Sequence, residues 1–150
     1  MRVLLTGSRN WINAAIIECE MVYASRNALP ENCTLVHGAC PTGADAMADN
    51  IAKRLGWNRE PHPANWEYGR AAGPIRNTEM VNMGADICLA FIVRNSKGAA
   101  GCARLAVNAG IPTRHVNIHQ HYTMCGSVDC HASDCDVYEI QRATFHELLR

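Results

Sequence analysis

Ile87-Cys88-Leu89-Ala90-Phe91-Ile92-Val93 is an unbroken apolar run. A strand of this kind has both faces buried, so it needs a layer of helices on each side, and such strands belong to parallel sheets. The rest of the chain supplies matching parts. Residues 2–6 read as a short strand that runs into Gly7-Ser8-Arg9, and residues 34–37 read as another. Ile12, Ile16, Cys19 and Tyr23 recur at helical spacing, as do Ala44, Met47, Ala48, Ile51 and Leu55, with Gly56 as a stop. Residues 58–72, which contain Pro61, Pro63 and Gly69, read mostly as loop, with room for a short strand before His62. Helices are expected over 75–83 and 99–109, and a last strand over 113–118. Strand and helix in alternation imply a parallel sheet between helical layers.

The 150 residues, 48% hydrophobic and 19% charged, suit one domain with one core. Lys plus Arg number 14, as do Asp plus Glu, so the formal net charge is zero. Coating of DNA, RNA or an anionic membrane demands excess cations and is disfavoured, whereas a local basic pocket is not. The three apolar residues near the N-terminus are too few for a signal-peptide core, and no run approaches the roughly 18 of a membrane span. The expected setting is the cytoplasm. The eight cysteines are therefore read as reduced rather than as a disulfide framework, with Cys19 and Cys88 as small buried hydrophobes.

In open parallel sheets, ligands sit at the carboxyl ends of the strands. The unusual residues fall there: Gly7, Ser8 and Arg9 after the first strand; Gly38, Thr42, Gly43 and Asp45 after the second; Lys97, Gly98 and Gly101 after the long apolar strand. Glycines let the backbone approach an anion, and helix N-termini offer free N–H groups. Neither G-x-G-x-x-G nor a Walker-type loop is present. Arg76 is read as a phosphate fork or as a surface ion-pair partner of Glu79, and Asn77 as a helix cap or ligand contact. Asp45 is an acceptor for a ribose hydroxyl or a dipole-favoured carboxylate. Trp66 and Tyr68 are stacking platforms for a base or packing anchors.

Gly7-Ser8-Arg9-Asn10-Trp11, His37-Gly38-Ala39-Cys40-Pro41-Thr42-Gly43-Ala44-Asp45, His62-Pro63-Ala64-Asn65-Trp66, Arg70-Ala71-Ala72-Gly73-Pro74-Ile75-Arg76-Asn77 and Gly84-Ala85-Asp86 occur in that order. Together they resemble the YspA/YpsA-related SLOG proteins over about residues 1–118. The resemblance implies a Rossmann-like, doubly wound parallel sheet in three α/β/α layers. It also implies a site for a nucleotide or a nucleotide-derived ligand such as an ADP-ribose-type molecule, and a possible phage setting, in which case the compartment is the host cytoplasm. A homodimer is expected by the same resemblance.

The wider superfamily includes phosphoribohydrolases whose loop reads P-G-G-x-G-T followed by a glutamate. Here the matching loop is Ser96-Lys97-Gly98-Ala99-Ala100-Gly101-Cys102-Ala103-Arg104-Leu105. Cys102 takes the threonine place, and Arg104 or Leu105 the carboxylate place. N-glycosidic hydrolysis passes through a cationic transition state that a carboxylate stabilises. Its absence favours a binding module that senses, carries or sequesters its ligand. A hydrolase would need Asp45 or Glu79 as a substitute. A third reading, a DNA-processing accessory factor, has the zero net charge against it.

Residues 119–150 form an extension beyond the resemblance. Cys125, Cys130 and Cys135, with His119, His121 and His131, fall within a short stretch. Zinc is one reading, since thiolates and imidazoles are its preferred ligands. A polar loop with incidental cysteines and a redox-sensitive tail are the others, because C-x4-C-x4-C is not a common zinc spacing. Val137, Ile140, Thr144 and Leu148 then share one face of an expected final helix.

Overall fold

The computed structural model describes residues 1–93 and 96–116. The zinc, final-helix and domain-boundary readings for the tail lie outside the described residues. Five parallel strands form one sheet in the order β3-β2-β1-β4-β5: β1 Arg2–Gly7, β2 Thr34–His37, β3 Asn58–Pro61, β4 Ile87–Phe91 and β5 Thr113–Val116. The helices are α1 Ala14–Ser25, α2 Ala44–Leu55, α3 Ala72–Asn82 and α4 Lys97–Asn108. This is a Rossmann-like α/β fold.

The two-residue period of the strands sorts their side chains onto two cores. Val3, Leu5, Leu35, Ile87, Leu89 and Phe91 meet Ile16, Ile17 and Met21 of α1 and Ala48, Ile51 and Ala52 of α2. Leu4, Val36 and Cys88 meet Met80 and Val81 of α3 and Cys102 and Ala106 of α4. Trp11 packs edge-on against Phe91, with centroids 5.2 Å apart. Burial pushes the Cys88 thiol up to about 12, so this cysteine behaves as a small apolar residue.

Several boundaries differ from the sequence expectation. Ile12 is 80% exposed and precedes the helix. Asn13 begins α1 instead, its Oδ1 accepting the Ile16 N–H at 3.1 Å, and the buried Trp11 takes the place expected of Ile12. Residues 58–72 hold the short strand expected before His62, as β3, but the segment expected as loop after it forms a 3-10 turn at Trp66–Ala71. Asn-Arg-Glu-Pro is a strand because it pairs with β2, not because of its own residues. α3 starts at Ala72, so Asn77 is interior rather than a cap. β4 ends at Phe91, where the next residues turn toward β1.

Two ion pairs tie distant segments. Glu20 of α1 is buried and lies 2.9 Å from Arg114 of β5, which explains a carboxylate on an otherwise apolar helix face. Arg2 grips Glu60 with both terminal nitrogens, at 2.7 and 3.1 Å, and His62 adds a contact at 2.8 Å. The Arg2 hydrogen bonds are the main reason the Glu60 carboxyl is held at about 2, against an ordinary 4.5. A lowered carboxylate stabilises the fold above its unfolded value, and that contribution is lost as pH falls from 4.5 toward about 2. Glu60→Gln is therefore expected to flatten the acid limb of stability against pH. The loss at neutral pH should be only about 1 kcal/mol, because the pair is partly solvated. Urea melts at pH 7, 4 and 2.5 check this; an acid limb parallel to wild type would refute it.

Candidate functional site

α1 and α2 cover one face of the sheet, and α3 and α4 the other. The connections leaving β1 and β4 therefore part in opposite directions, and a crevice opens between their carboxyl ends. A cavity of about 820 Å³ lies there.

The loop after β1 is fixed by Ser8, which is buried. Its N–H donates to Phe91 O at 2.9 Å, its hydroxyl accepts the Val93 N–H at 2.9 Å, and its carbonyl accepts from Trp11 and Ala44. Ser8 thus builds the crevice and does not line it. Gly43 does the same from α2: its φ is 72° and ψ −144°, and an added Cβ would strike the backbone of Ser8 and Arg9. At Gly7 a Cβ would collide with that of Ala44, so glycine lets α2 approach β1. Thr42 is exposed and outside the cavity wall.

After β2, the buried His37 accepts the Ala39 N–H on Nδ1 at 3.2 Å, which leaves Nε2 to donate to Asp49 at 3.1 Å. Ala39 is held at φ 53°, a left-handed conformation uncommon for alanine. Asp45 is buried on the cavity wall, and its Oδ2 accepts the Cys40 N–H at 3.3 Å. Burial pushes its carboxyl above the ordinary range; the Cys40 amide and the charge of Arg76 oppose that shift.

Arg76 links three segments. Nη1 donates to His62 O at 3.0 Å and to Gly38 O, and Nε donates to Asn77 Oδ1 at 2.9 Å. A Cβ at Gly38 would fall within this guanidinium. None of these partners is Glu79, so the surface-pair reading of Arg76 is corrected. Asn77 is buried and passes the connection on, its Nδ2 donating to Gly98 O at 3.3 Å. The first turn of α4 has neither a side-chain cap nor an acidic residue, and an added Cβ at Gly98 or Gly101 would meet open space.

Of the residues singled out from sequence, Gly7, Arg9, Gly38, Asp45, Trp66, Arg76, Asn77, Gly98 and Gly101 converge on the cavity; Ser8, Thr42 and Gly43 do not line it. Lys97 and Arg104, noted in the sequence at the loop after the long apolar strand, line it too, as do Asn10, Cys40 and Ser96, which were not among those candidates. Lys97, Gly101 and Arg104 stand four and three residues apart, a spacing that puts them on one face of a helix. Among the described residues, no group of three or more His, Cys, Asp or Glu could hold a metal ion.

A family model described as the YspA, cpYpsA-related SLOG family matches residues 1–69. A relative in Mycobacterium phage D29, the Gene 61 protein, is 42% identical over 117 residues, covering 74% of this chain and 92% of the relative. The chain belongs to the YspA/cpYpsA-related SLOG family. The region matched by the SLOG model carries the loops after β1 and β2 and Trp66. The other side of the SLOG crevice, from Arg76 and Asn77 to the start of α4, lies beyond it. No helix among the described residues of this SLOG protein is long and apolar enough to cross a membrane.

Proposed function

We propose that this protein binds a phosphate-bearing nucleotide or nucleotide-derived molecule and leaves it intact, as a sensor, carrier or sequestering protein. One observation carries the reading. Among the described residues, the cavity wall holds the cations Arg9, Arg76, Lys97 and Arg104 against a single carboxylate, Asp45, in a chain of zero net charge. The uncapped start of α4 adds N–H groups and the positive end of a helix dipole. Family membership and the position at the strand ends favour a nucleotide among possible anions. In this reading, Arg9, Lys97 and Arg104 meet phosphate, and Asp45 accepts from a sugar hydroxyl.

The hydrolase reading keeps one specific support: Asp45 is a buried acid on the cavity wall whose carboxyl burial pushes above the ordinary range. Glu79, the other substitute, is exposed and does not line the cavity. Against it stands the first part of α4, which presents cations where a developing positive charge would need an anion.

The test is calorimetric titration of the full chain with AMP, ADP and ADP-ribose, followed by chromatography of the recovered ligand. Binding with intact recovery is expected. Lys97→Ala and Arg104→Ala should each weaken it about tenfold, as for loss of one charge-assisted hydrogen bond. Absence of binding at millimolar ligand would overturn the proposal, and release of free base would move it to the hydrolase.

A further inference from the structure

Trp66 is 63% exposed, yet its indole stands on the wall of the cavity. The backbone beneath it is firmly built. Asn65 caps the 3-10 turn, its Oδ1 accepting the Glu67 N–H at 3.1 Å and its Nδ2 donating to Glu67 Oε2 at 3.1 Å. The Tyr68 N–H returns to Asn65 O at 3.2 Å. Among the described residues the Trp66 ring has no aromatic or cationic partner, whereas Trp11 pairs with Phe91 and Tyr23 lies under two arginines. A large flat ring is thus exposed beside an anion site, and it belongs to neither of the two core clusters among the described residues. The cavity also exceeds what a phosphate group alone would fill.

We infer that Trp66 is the platform on which the base of the ligand stacks, so that the ligand class is an aromatic-base nucleotide rather than a sugar phosphate or bare polyphosphate. The inference rests on the anion-site reading above and adds the other end of the ligand. Stacking tolerates any base, because every base presents a π face. Discrimination by the platform is therefore between ligands with and without a ring, more than among bases.

The molecule carries its own reporter. Its three tryptophans are Trp11, Trp57 and Trp66, and the first two are buried in the core. Emission that responds to a ligand ring in the cavity belongs to Trp66. The full chain is titrated with ADP, pyrophosphate and ribose 5-phosphate, following fluorescence and calorimetric affinity. ADP is expected to quench emission, and pyrophosphate to displace ADP without quenching. Trp66→Ala should weaken ADP about tenfold and leave pyrophosphate affinity within twofold, while Trp66→Phe retains most ADP affinity. Unchanged ADP affinity in Trp66→Ala, with pyrophosphate still bound, overturns the platform and spares the anion site. If neither ADP nor pyrophosphate binds wild type, both readings fall.

Discussion

Gly43→Ala is expected to remove more than about 3 kcal/mol of stability, a fall in Tm on the order of 10 °C or more. Two effects add. The backbone there has φ 72° and ψ −144°, a region open essentially to glycine. The new methyl would also run into the carbonyl of Ser8 and the backbone of Arg9, neither of which can swing aside like a side-chain tip. Ser8 is tied by its own hydrogen bonds to Phe91 and Val93, so the strain would spread across the β1–β4 junction. Gly98→Ala is the matched control. It lies in α4 with open space around it, so stability should hold or rise by up to about 1 kcal/mol. Thermal melts of both variants decide the matter; a Gly43→Ala protein melting within 2 °C of wild type (roughly 1 kcal/mol or less) would show that the loop can yield.

Arg76→Met should have the largest effect on binding that also carries a stability cost. The guanidinium satisfies Gly38 O, His62 O and Asn77 Oδ1 together, and methionine satisfies none. Leaving partly buried acceptors without a donor costs about 2–3 kcal/mol here. Anion affinity should drop at least about tenfold, because the loops lose their mutual spacing as well as a positive charge. Asp45 would retain its proton to still higher pH, since the Arg76 charge now opposes the effect of burial. Arg76→Lys should restore little, as an ammonium cannot span the same acceptors as a planar fork. Urea melts and ADP titrations of both variants test this; a lysine variant equal to wild type in both would mean charge alone suffices.

Much of the architecture was legible in the sequence because it depends on periodicity. The apolar run at Ile87 announced a doubly buried strand, and the spacing of Ala48, Ile51 and Leu55 announced a helix face. β3 was legible only as room for a short strand before His62, because Asn-Arg-Glu-Pro has little strand character of its own and is held by its pairing with β2. Ile12 misled because its apolar character fitted the helical period, while Asn13 next to it offered a better start. At the site, the glycine loops were found, but their division of labour was not. Gly43 and Ser8 shape the crevice and Gly98 opens onto it, a distinction that lies in three-dimensional clearance. Asn77 fitted a cap by composition, yet its role depends on where α3 begins and on Gly98 across the interface.

The strand order β3-β2-β1-β4-β5 has a consequence for how such a protein can change over time. The crevice exists because the connections leaving β1 and β4 diverge, not because any lining side chain carves it. Arg9, Lys97, Arg104 and Trp66 all project from loops or exposed helix positions around that opening. Each can be exchanged without disturbing the two cores beneath. The recess is an inherited property of the topology, and the chemistry at its rim is the adjustable part. A lineage could retain this scaffold while altering what the recess accepts, one surface residue at a time.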